Sequence, residues 1–379
     1  MHFLSCAGEL NHHGRYMCDS MYALLGSDYK RVSTSRVNET RKQLGYHDET
    51  DLPYHIDGSS FSADDIRSLI NWADVIDYGS APEAFLHEAV KQNKIVFLRI
   101  ERLLKEGDWK LLIPSVRAKY KRKYTNYKDN KNVYFLCVSG YTARDLQKIN
   151  VKGERVLQWA YCPQFIEYPT QDVLKRAEGH KELQLFWCGR MIGWKHPEIA
   201  VKIADELNKR GVDFSLEMAG AGELEEPLKA LISKKGLDEK VKMLGVVPVS
   251  EMRAKMCSMD LFIGTSDRNE GWGVVINEAM NSGCAVVASK ETGAVPVLIQ
   301  DGKNGFSFSW KDYKNAASQI ERLDEDRELL RSMRINAYNT IKNDFCPDVY
   351  AKTFLEVAND ALSGQNHLRS GLGSISLVR

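Results

Sequence analysis

The sequence predicts an α/β protein with two doubly wound parallel sheets in tandem. Short apolar runs alternate with amphipathic helical stretches, which is typical of parallel sheets with helices on both faces. The 379 residues are enough for two domains of ordinary size. A polar, irregular stretch from Pro163 to His180 separates the two series. We expect domains at 1–178 and 179–345, a helix with a frayed tail at 346–379, and a ligand between the domains.

The first domain begins with a buried strand, after which strands and helices alternate. Its predicted strands are His2–Ala7, Lys30–Thr34, Asp74–Tyr78, Lys94–Ile100, Val133–Val138 and Gln158–Cys162. Its predicted helices are Arg15–Leu25, Ala63–Trp72, Pro82–Gln92 and, after a loop, part of Ser139–Leu146. The polar residues from Arg36 to Ser62 predict a loop region.

The second domain repeats this alternation. Its predicted strands are Leu183–Cys188, Asp213–Ala219, Val241–Leu244, Asp260–Ser266 and Cys284–Ser289. Its predicted helices are His196–Arg210, Glu223–Lys235, Val249–Met259, one beginning near Gly273, Tyr313–Leu323 and Glu325–Lys342, and the last helix of the chain is Val349–Leu362. Asp301–Phe306 carries a turn signal.

The overall composition is that of a globular protein, with 43% hydrophobic residues and a formal net charge of +1. A near-neutral chain has no global field that favours nucleic acid, so we expect no nucleic-acid partner. The eight Cys and nine His residues show no metal-ligand spacing, so we expect reduced core thiols, no metal and no cofactor. We find neither a signal peptide nor an apolar run near the roughly 18 residues that span a bilayer, and therefore expect a cytoplasmic protein.

One segment, Trp109–Lys131, departs from this neutral composition. It contains eight Lys and Arg residues and one acid, Asp129, with one Trp and three Tyr residues between them. One interpretation is a solvated basic helix face. The other is contact with an anionic membrane surface or a lipid diphosphate, which would place the protein on the inner face of the cell membrane.

The stretch from Arg268 to Gly283 carries a candidate ligand site. It places Glu270 in the loop after a strand and Glu278 on the following helix. Between them, a predicted helix N-terminus offers the N–H groups of Gly271, Trp272, Gly273 and Val274. Such N–H groups bind anions, and carboxylates beside an anion site suit a ligand with hydroxyls and phosphates, such as a nucleotide sugar. Taken alone, two such carboxylates are more often solvated groups on the protein surface. Here they follow the carboxyl end of a predicted parallel strand, where α/β sheets bind ligands, and this position favours a ligand site.

Two cations, Arg190 and Lys195, flank the loop after the second domain's first strand. An Arg fork and a Lys charge at this sheet edge suit a diphosphate, and ordinary surface cations are the alternative. Gly220-Ala-Gly222 lacks the third Gly of a dinucleotide fingerprint, so we interpret it as a tight turn that lets the next helix pack closely. In the first domain, His12 and His13 lie in the loop after the first strand and either contact substrate or belong to an ordinary polar loop.

These residues resemble a known family. The matching segments are Gly189-Arg190 with Lys195, Met218–Gly222, Leu244-Gly245, and Glu270-Gly-Trp-Gly with Glu278-Ala-Met and Gly283. They are similar to the carboxyl-terminal domain of retaining GT-B glycosyltransferases with a Glu-x7-Glu motif (family 4, glycosyl transferases group 1). Ile100–Gly107 and Ser139–Leu146 look like segments of bacterial capsule and exopolysaccharide transferases. The resemblance implies two Rossmann-like domains facing each other across a cleft, with the last helix crossing back to the first domain.

The resemblance also implies a role for each matching residue of the second domain. Arg190 and Lys195, after Gly189, would hold the donor diphosphate. Glu270 would hydrogen-bond the donor sugar, and Glu278 would accept both ribose hydroxyls. The implied backbone contacts to sugar, phosphate and base come from Gly271, Trp272, Gly273 and Val274 and from Gly245, Val246 and Val247.

In the first domain, the resemblance implies that Gly8 and Glu9 approach the diphosphate and that Glu101 faces the acceptor or the sugar. Many relatives have a His where this sequence has Glu101. Together, Glu270, Lys195, Arg190 and Glu101 form the implied catalytic set.

We therefore expect a retaining, metal-independent glycosyltransferase. It would move a sugar from a nucleotide-diphosphate sugar, UDP rather than GDP as the first expectation, to a saccharide or lipid-linked acceptor in polysaccharide biosynthesis. Two alternatives stay open: a GT-B-fold nucleotide-sugar epimerase or hydrolase, and a catalytically silent nucleotide-sugar-binding protein.

Overall fold

The computed structural model describes residues 1–42 and 47–364. The chain divides into two compact units: unit 1 comprises Met1–Gln164 with Asp344–Arg379, and unit 2 comprises Phe165–Asn343. Each unit contains a parallel sheet covered by helices and has its own buried apolar core. The predicted α/β class with two doubly wound sheets is confirmed.

Unit 1 contains a seven-stranded parallel sheet. Its strands are β1 Phe3–Ala7, β2 Tyr29–Ser33, β3 His55–Asp57, β4 Val75–Tyr78, β5 Ile95–Glu101, β6 Val133–Val138 and β7 Val156–Trp159. Its helices before Gln164 are α1 His12–Leu25, α2 Glu39–Lys42, α3 Ala63–Trp72, α4 Glu83–Lys91, α5 Pro114–Lys123 and α6 Thr142–Lys148. The strand order is β3-β2-β1-β4-β5-β6-β7, so the order reverses between β1 and β4.

Three predictions for unit 1 need correction. Strand β3 lies inside the predicted loop region, where it pairs with β2 although it has only three residues. Strand β7 begins at Val156, earlier than predicted. Helix α1 begins at His12 because the Asn11 side chain caps it by accepting a 3.0 Å hydrogen bond from the His13 N–H. The two His residues therefore lie on the first turn of a helix and not in a loop.

Unit 2 contains a six-stranded parallel sheet. Its strands are β8 Leu183–Cys188, β9 Phe214–Ala219, β10 Val241–Gly245, β11 Leu261–Gly264, β12 Ala285–Ser289 and β13 Phe306–Phe308. Its helices are α7 Thr170–Ala177, α8 Pro197–Lys209, α9 Glu225–Lys234, α10 Val249–Cys257, α11 Val275–Asn281, α12 Val295–Leu298, α13 Tyr313–Glu325 and α14 Arg327–Thr340. The strand order β10-β9-β8-β11-β12-β13 reverses between β8 and β11.

Unit 2 also differs from the sequence prediction at its beginning and near its end. Helix α7 lies in the predicted irregular stretch, and its buried Val173 and Ala177 belong to the face that packs against α14. Unit 2 therefore begins at Phe165, earlier than the predicted boundary at residue 178. Strand β13 follows the predicted turn directly and pairs with β12.

The last helix of the chain, α15 Pro347–Ser363, is part of unit 1. Its Phe354 ring lies 5.2 Å from the Phe3 ring and 4.7 Å from the Trp159 ring, measured between centroids. The Tyr350 hydroxyl accepts a 2.8 Å hydrogen bond from the Ala160 N–H. Aromatic packing on β1 and β7 thus holds the end of the described chain on the first sheet.

Cysteine side chains contribute to both cores. All eight Cys residues are free thiols, and six of them are buried. Within the described residues, no helix combines the length and the apolar composition needed to cross a bilayer.

A buried ion pair fixes the strands that lead to the reversal point of unit 2. Asp260, directly before β11, is fully buried and accepts a 3.0 Å hydrogen bond from the Gln184 N–H of β8. Arg334 of α14 contacts the Asp260 carboxylate, and its Nε and Nη2 donate to the carbonyl oxygens of Gly283 and Met259 at 2.9 and 3.0 Å. One guanidinium therefore joins α14 to the segments before β11 and β12.

We predict that Arg334→Leu destabilises the protein by about 3 to 5 kcal/mol, because it removes the buried guanidinium and leaves the Asp260 carboxylate with only the half-exposed His180 ring, 3.0 Å away, as a side-chain partner. Urea unfolding followed by tryptophan fluorescence measures this loss. Arg331→Leu is the matched control, since Arg331 lies on the same helix and pairs with Glu328 near solvent; it should change the free energy of unfolding by less than about 1 kcal/mol. Equal losses in the two variants would contradict the assigned role of the buried pair.

Candidate active site

The predicted donor-site residues of unit 2 lie on loops at the carboxyl edge of its sheet. The loop after β8 carries Gly189, Arg190 and Lys195, and the loop after β11 carries Glu270 and leads into α11. Since the strand order reverses between β8 and β11, these two loops leave on opposite faces of the sheet and border a crevice. This is where open α/β sheets bind ligands.

Lys195 and Glu270 form an ion pair at this reversal point. Both side chains are largely shielded, with 16% and 17% of their surface exposed. The Lys195 carbonyl oxygen accepts a 2.6 Å hydrogen bond from the Thr265 hydroxyl, which in turn accepts a 2.8 Å hydrogen bond from Trp187 Nε1. The expectation that the two loops bring their charged residues to one sheet edge thus agrees with the geometry.

His196 strengthens the connection between the two loops and was not identified from the sequence. It adopts a left-handed backbone conformation with φ of 47°, its ring stacks on Trp310 at 3.9 Å, and its two ring nitrogens lie 2.9 Å from Glu198 and 3.3 Å from Asp267. Burial alone would lower the His196 pKa, but the hydrogen bonds and charges of Glu198 and Asp267 outweigh it and raise that pKa. His196 therefore links the two loops through its contacts with Glu198 and Asp267.

The loop from Glu270 to α11 has one conformation that only Gly satisfies. Gly273 has φ of +89°, and a Cβ built there would lie 2.6 Å from Thr292 Cγ2. Next to it, buried Trp272 donates from Nε1 to Asn277 Oδ1 at 2.8 Å and accepts a 2.8 Å hydrogen bond from the Ala294 N–H at its carbonyl oxygen. Helix α11 begins at Val275, and the predicted amides of residues 271–274 form the turn before it.

Glu278 lies on α11 in a shielded position. Burial raises the pKa of its carboxyl group, and the charge of Arg253 on α10 partly opposes this effect. Arg253 also donates to the side chain of Asn281, one turn further along α11. Arg253 was not predicted, since nothing in its local sequence distinguishes it from a surface cation.

Arg190 lies in the loop after β8, and the Gly220–Gly222 turn packs against the backbone of that loop. The Arg190 guanidinium is exposed and lies over the Trp194 ring, 5.2 Å from its centroid. A Cβ on Gly220 would lie 1.9 Å from the Gly189 carbonyl oxygen, and one on Gly222 would lie 2.5 Å from the Met191 carbonyl oxygen. These glycines were predicted to form a tight turn that lets the next helix pack closely; the backbone that approaches them is that of the loop after β8.

The segment predicted to contact the base lies at the end of the edge strand of the unit 2 sheet. Gly245 ends β10, an edge strand that β9 separates from β8, and its carbonyl oxygen accepts a 2.7 Å hydrogen bond from the Gly220 N–H. Val246 is 66% exposed and Val247 is half-buried. These residues lie at the same sheet edge as Lys195, two strands away from β8.

The predicted unit 1 residues lie at the carboxyl edge of the other sheet. The Gly8 N–H donates to Ser80 Oγ at 3.1 Å, and the Glu9 carboxylate accepts a 2.9 Å hydrogen bond from the Asn11 side chain. Glu101 ends β5, is exposed, and lies 3.3 Å from the Tyr161 hydroxyl and 3.2 Å from Lys105 Nζ.

A cavity of about 360 Å³ opens at this edge of unit 1. Its lining includes Glu101, Glu83, Lys123, Tyr124 and Tyr161. Carboxylates and Tyr rings together suit a polyhydroxyl ligand, since they offer hydrogen-bond acceptors beside flat apolar faces. This cavity is the candidate ligand site of unit 1.

His12 and His13 lie side by side on the first turn of α1. Their rings lie 4.0 Å apart. Burial lowers the pKa of His12, and burial followed by the charge of His12 lowers the pKa of His13 to about 3. Among the described residues, no cluster of His, Cys, Asp or Glu side chains is placed to hold a metal ion.

We predict that Gly273→Ala destabilises the protein by about 1 to 3 kcal/mol, because the new methyl group clashes with Thr292 and the positive φ is strained. Thermal or urea unfolding measures the loss. Gly193→Ala is the matched control in the facing loop, since a Cβ there meets nothing within 4 Å and no positive φ constrains it. A Gly273→Ala protein as stable as Gly193→Ala would contradict the described loop conformation.

We predict a pH-dependent contribution from His196. Because its folded-state pKa is raised, the stabilisation is fully present below the unfolded value, about 6.5, and is lost as the pH rises through the folded pKa. The difference in free energy of unfolding between the native protein and His196→Gln should therefore shrink as the pH rises from 5.5 to 8.5. A difference that stays constant or grows with pH would contradict the contacts with Glu198 and Asp267.

Comparison with known proteins gives a consistent result for the second half of the chain. Residues 171–340 match the family model described as Glycosyl transferases group 1. The chain is 31% identical over 226 residues to the alpha-D-kanosaminyltransferase of Streptomyces kanamyceticus, covering 58% of this chain and 55% of that protein. It is 25% identical over 183 residues to the amylovoran biosynthesis glycosyltransferase AmsK of Erwinia amylovora, covering 47% and 45%. The chain thus spans about half the length of these curated relatives.

Comparison with solved structures concerns the fold of nearly the whole chain. HepE (Alr3699) of Anabaena, in complex with UDP, superposes with a TM-score of 0.68 at 16% identity, covering 95% of this chain and 100% of that chain. The chain therefore has the GT-B fold, and its residues 171–340 are similar to the glycosyl transferases group 1.

Proposed function

We propose that this protein is a retaining, metal-independent glycosyltransferase that acts in polysaccharide biosynthesis. Its donor is a nucleotide-diphosphate sugar, with UDP preferred over GDP, and its acceptor is a saccharide or a lipid-linked saccharide. The observation that carries the proposal is the ion pair between Lys195 and Glu270 at the strand-order reversal of unit 2. It lies within residues 171–340, which match a glycosyl transferase family.

Unit 2 binds the donor in this proposal. Lys195 and the exposed Arg190 neutralise the diphosphate, and the backbone amides of the turn before α11 add donors to its oxygens. When the donor binds, the Glu270 carboxylate exchanges its ion pair with Lys195 for hydrogen bonds to the sugar hydroxyls. Lys195 then contacts the diphosphate and stays near Glu270. Glu278 accepts the ribose hydroxyls, and its shielded position gives those hydrogen bonds a low-dielectric environment.

The preference for UDP draws on similarity alone. HepE of Anabaena, which shares the fold, has been solved in complex with UDP. The polysaccharide pathway is supported by AmsK, an amylovoran biosynthesis glycosyltransferase. Both features are proposals for this chain.

The reaction exchanges one bond of the sugar anomeric carbon for another. The bond from C1 to the diphosphate oxygen breaks, and a bond from C1 to the acceptor oxygen forms on the same face. The acceptor hydroxyl proton passes to the departing diphosphate oxygen, so charge and atoms balance without a carboxylate nucleophile. Lys195, Arg190 and the loop amides stabilise the negative charge that develops on the diphosphate, which lowers the barrier.

The acceptor occupies the unit 1 cavity in this proposal. Glu101 and Tyr161 lie at its edge, and Glu83, Lys123 and Tyr124 form part of its lining. A carboxylate beside a Tyr hydroxyl orients the attacking sugar hydroxyl by accepting its hydrogen bond. Glu101 therefore serves the acceptor, and the donor side depends on unit 2.

We predict that Lys195→Ala and Glu270→Ala each lower sugar transfer by about 100-fold or more, because each removes charge stabilisation or sugar contacts in the transition state. Transfer from a labelled UDP-sugar to an acceptor panel is measured together with thermal unfolding. Lys234→Ala and Glu239→Ala are matched controls, since both residues are exposed and lie outside the site. Near-native transfer in either site variant would contradict the proposal.

The same assay separates the two alternatives. Release of free or epimerised sugar at full rate without an acceptor would assign a hydrolase or epimerase. Donor binding without turnover across the whole acceptor panel would assign a silent binding protein.

A further inference from the structure

The basic segment of unit 1 forms an exposed surface of mixed character. It comprises Trp109 and Leu112 in a 3-10 turn and Arg117, Lys119 and Lys121 on helix α5. We call these five residues the α5 surface. Leu112 is 82% exposed and Trp109 is 54% exposed, which is unusual for large apolar side chains.

The three cations of the α5 surface differ from four of the other five cations of the segment Trp109–Lys131; the fifth, Lys131, is exposed and lies outside helix α5. Lys110 pairs with Glu106, Arg122 and Lys123 pair with Glu83, and Lys128 pairs with Asp129. By contrast, Arg117, Lys119 and Lys121 are exposed and form no salt bridge within the described residues. Their charge is therefore not neutralised inside the protein and is available to an external anion.

Helix α5 exposes these cations and has one buried residue. Tyr120 is the buried residue of the helix, and its hydroxyl donates to the Leu103 carbonyl oxygen at 2.9 Å. Relative to Tyr120, Arg117 and Lys121 fall on one flank of the helix and Lys119 on the other. The three cations therefore spread over the solvent-facing side of the helix, and the exposed Leu112 lies two residues before its first residue, Pro114.

The α5 surface also borders the cavity of unit 1. Lys123 and Tyr124, at the end of α5, are part of the cavity lining. Lys123 pairs with Glu83, which lines the same cavity. A large partner that binds α5 would therefore lie beside the cavity mouth.

We propose that the α5 surface binds an anionic lipid bilayer and holds the unit 1 cavity beside the membrane. The cations contact the lipid phosphates, and Leu112 and Trp109 enter the headgroup region. The lipid binding does not depend on the proposed transferase activity, but its consequence does: an acceptor carried on a lipid then reaches the cavity from the bilayer surface.

Apolar side chains favour a bilayer over a soluble polyanion. Arg and Lys residues alone attract any polyanion, including nucleic acid or an acidic protein. Leu112 has no role in such binding, whereas insertion into a bilayer removes its exposed surface from water. The effect of Leu112 therefore distinguishes a lipid from the other anions.

The test measures sedimentation of the full chain with vesicles of phosphatidylcholine containing 30% phosphatidylserine or phosphatidylglycerol, and with neutral phosphatidylcholine vesicles. Each cation near an anionic bilayer contributes about fivefold in affinity, so Arg117→Gln, Lys119→Gln and Lys121→Gln together should weaken binding by about 100-fold. Leu112→Ser alone should weaken it by about tenfold. Binding should also be lost in 1 M salt, where the screening length is about 3 Å.

A matched triple variant controls for net charge. Lys234→Gln, Lys303→Gln and Lys314→Gln remove three exposed charges from unit 2 and should leave vesicle binding unchanged. An equal loss in the two triple variants would overturn the proposal, because only net charge would then matter. Spin-labelled lipid should quench the tryptophan fluorescence of the native protein, and this quenching should be weaker in Trp109→Phe because the inserted indole ring is removed.

Three further results would overturn the lipid assignment. They are no binding to anionic vesicles, equal binding to neutral vesicles, and tight heparin binding with vesicle binding that is insensitive to Leu112→Ser. Since vesicle binding is measured without any sugar, failure here leaves the transferase assay unaffected, and a failed transferase assay leaves the lipid result unaffected.

Discussion

The reversal of strand order between β8 and β11 is the constraint on which the candidate site depends. It makes two loops diverge from adjacent strands, and the hydrogen-bond chain from Trp187 through Thr265 to the Lys195 carbonyl oxygen then holds those loops together. At the opposite end of the same strands, the buried pair of Asp260 and Arg334 joins them to α14. The strands are thus fixed at both ends, and the Lys195–Glu270 pair lies at their carboxyl ends with both side chains less than one fifth exposed.

Elements with a clear apolar pattern were predictable from the sequence, and the three-residue strands were not. Apolar runs with clear ends indicated β5, β6, β8 and β12, because a strand buried on both faces needs a continuous apolar sequence. Strands β3 and β13 have three residues each and owe their conformation to pairing with a longer neighbour. Helix α7 was missed for a similar reason, since its buried Val173 and Ala177 acquire their role only by packing on α14.

The candidate site shows the same division. Lys195 and Glu270 were predicted to share an edge because both follow parallel strands, and this rule needs no knowledge of contacts. His196 and Asp267 were missed because their interaction joins residues 71 positions apart. Gly220 and Gly222 were predicted to form a tight turn beside the next helix. The atoms that approach them belong instead to the loop after β8. A sequence shows that a Cβ is missing, but it does not show which atoms occupy the space.

Hydrogen–deuterium exchange of the full chain, with and without a panel of UDP-, GDP- and dTDP-sugars, tests the central claim most directly. The claim is that the loops after β8 and β11 form a nucleotide-sugar site. We predict slower exchange in peptides spanning residues 189–196 and 264–278 with at least one donor, because binding removes their amides from water. Protection confined to other parts of the chain, or no protection with any donor, would contradict it.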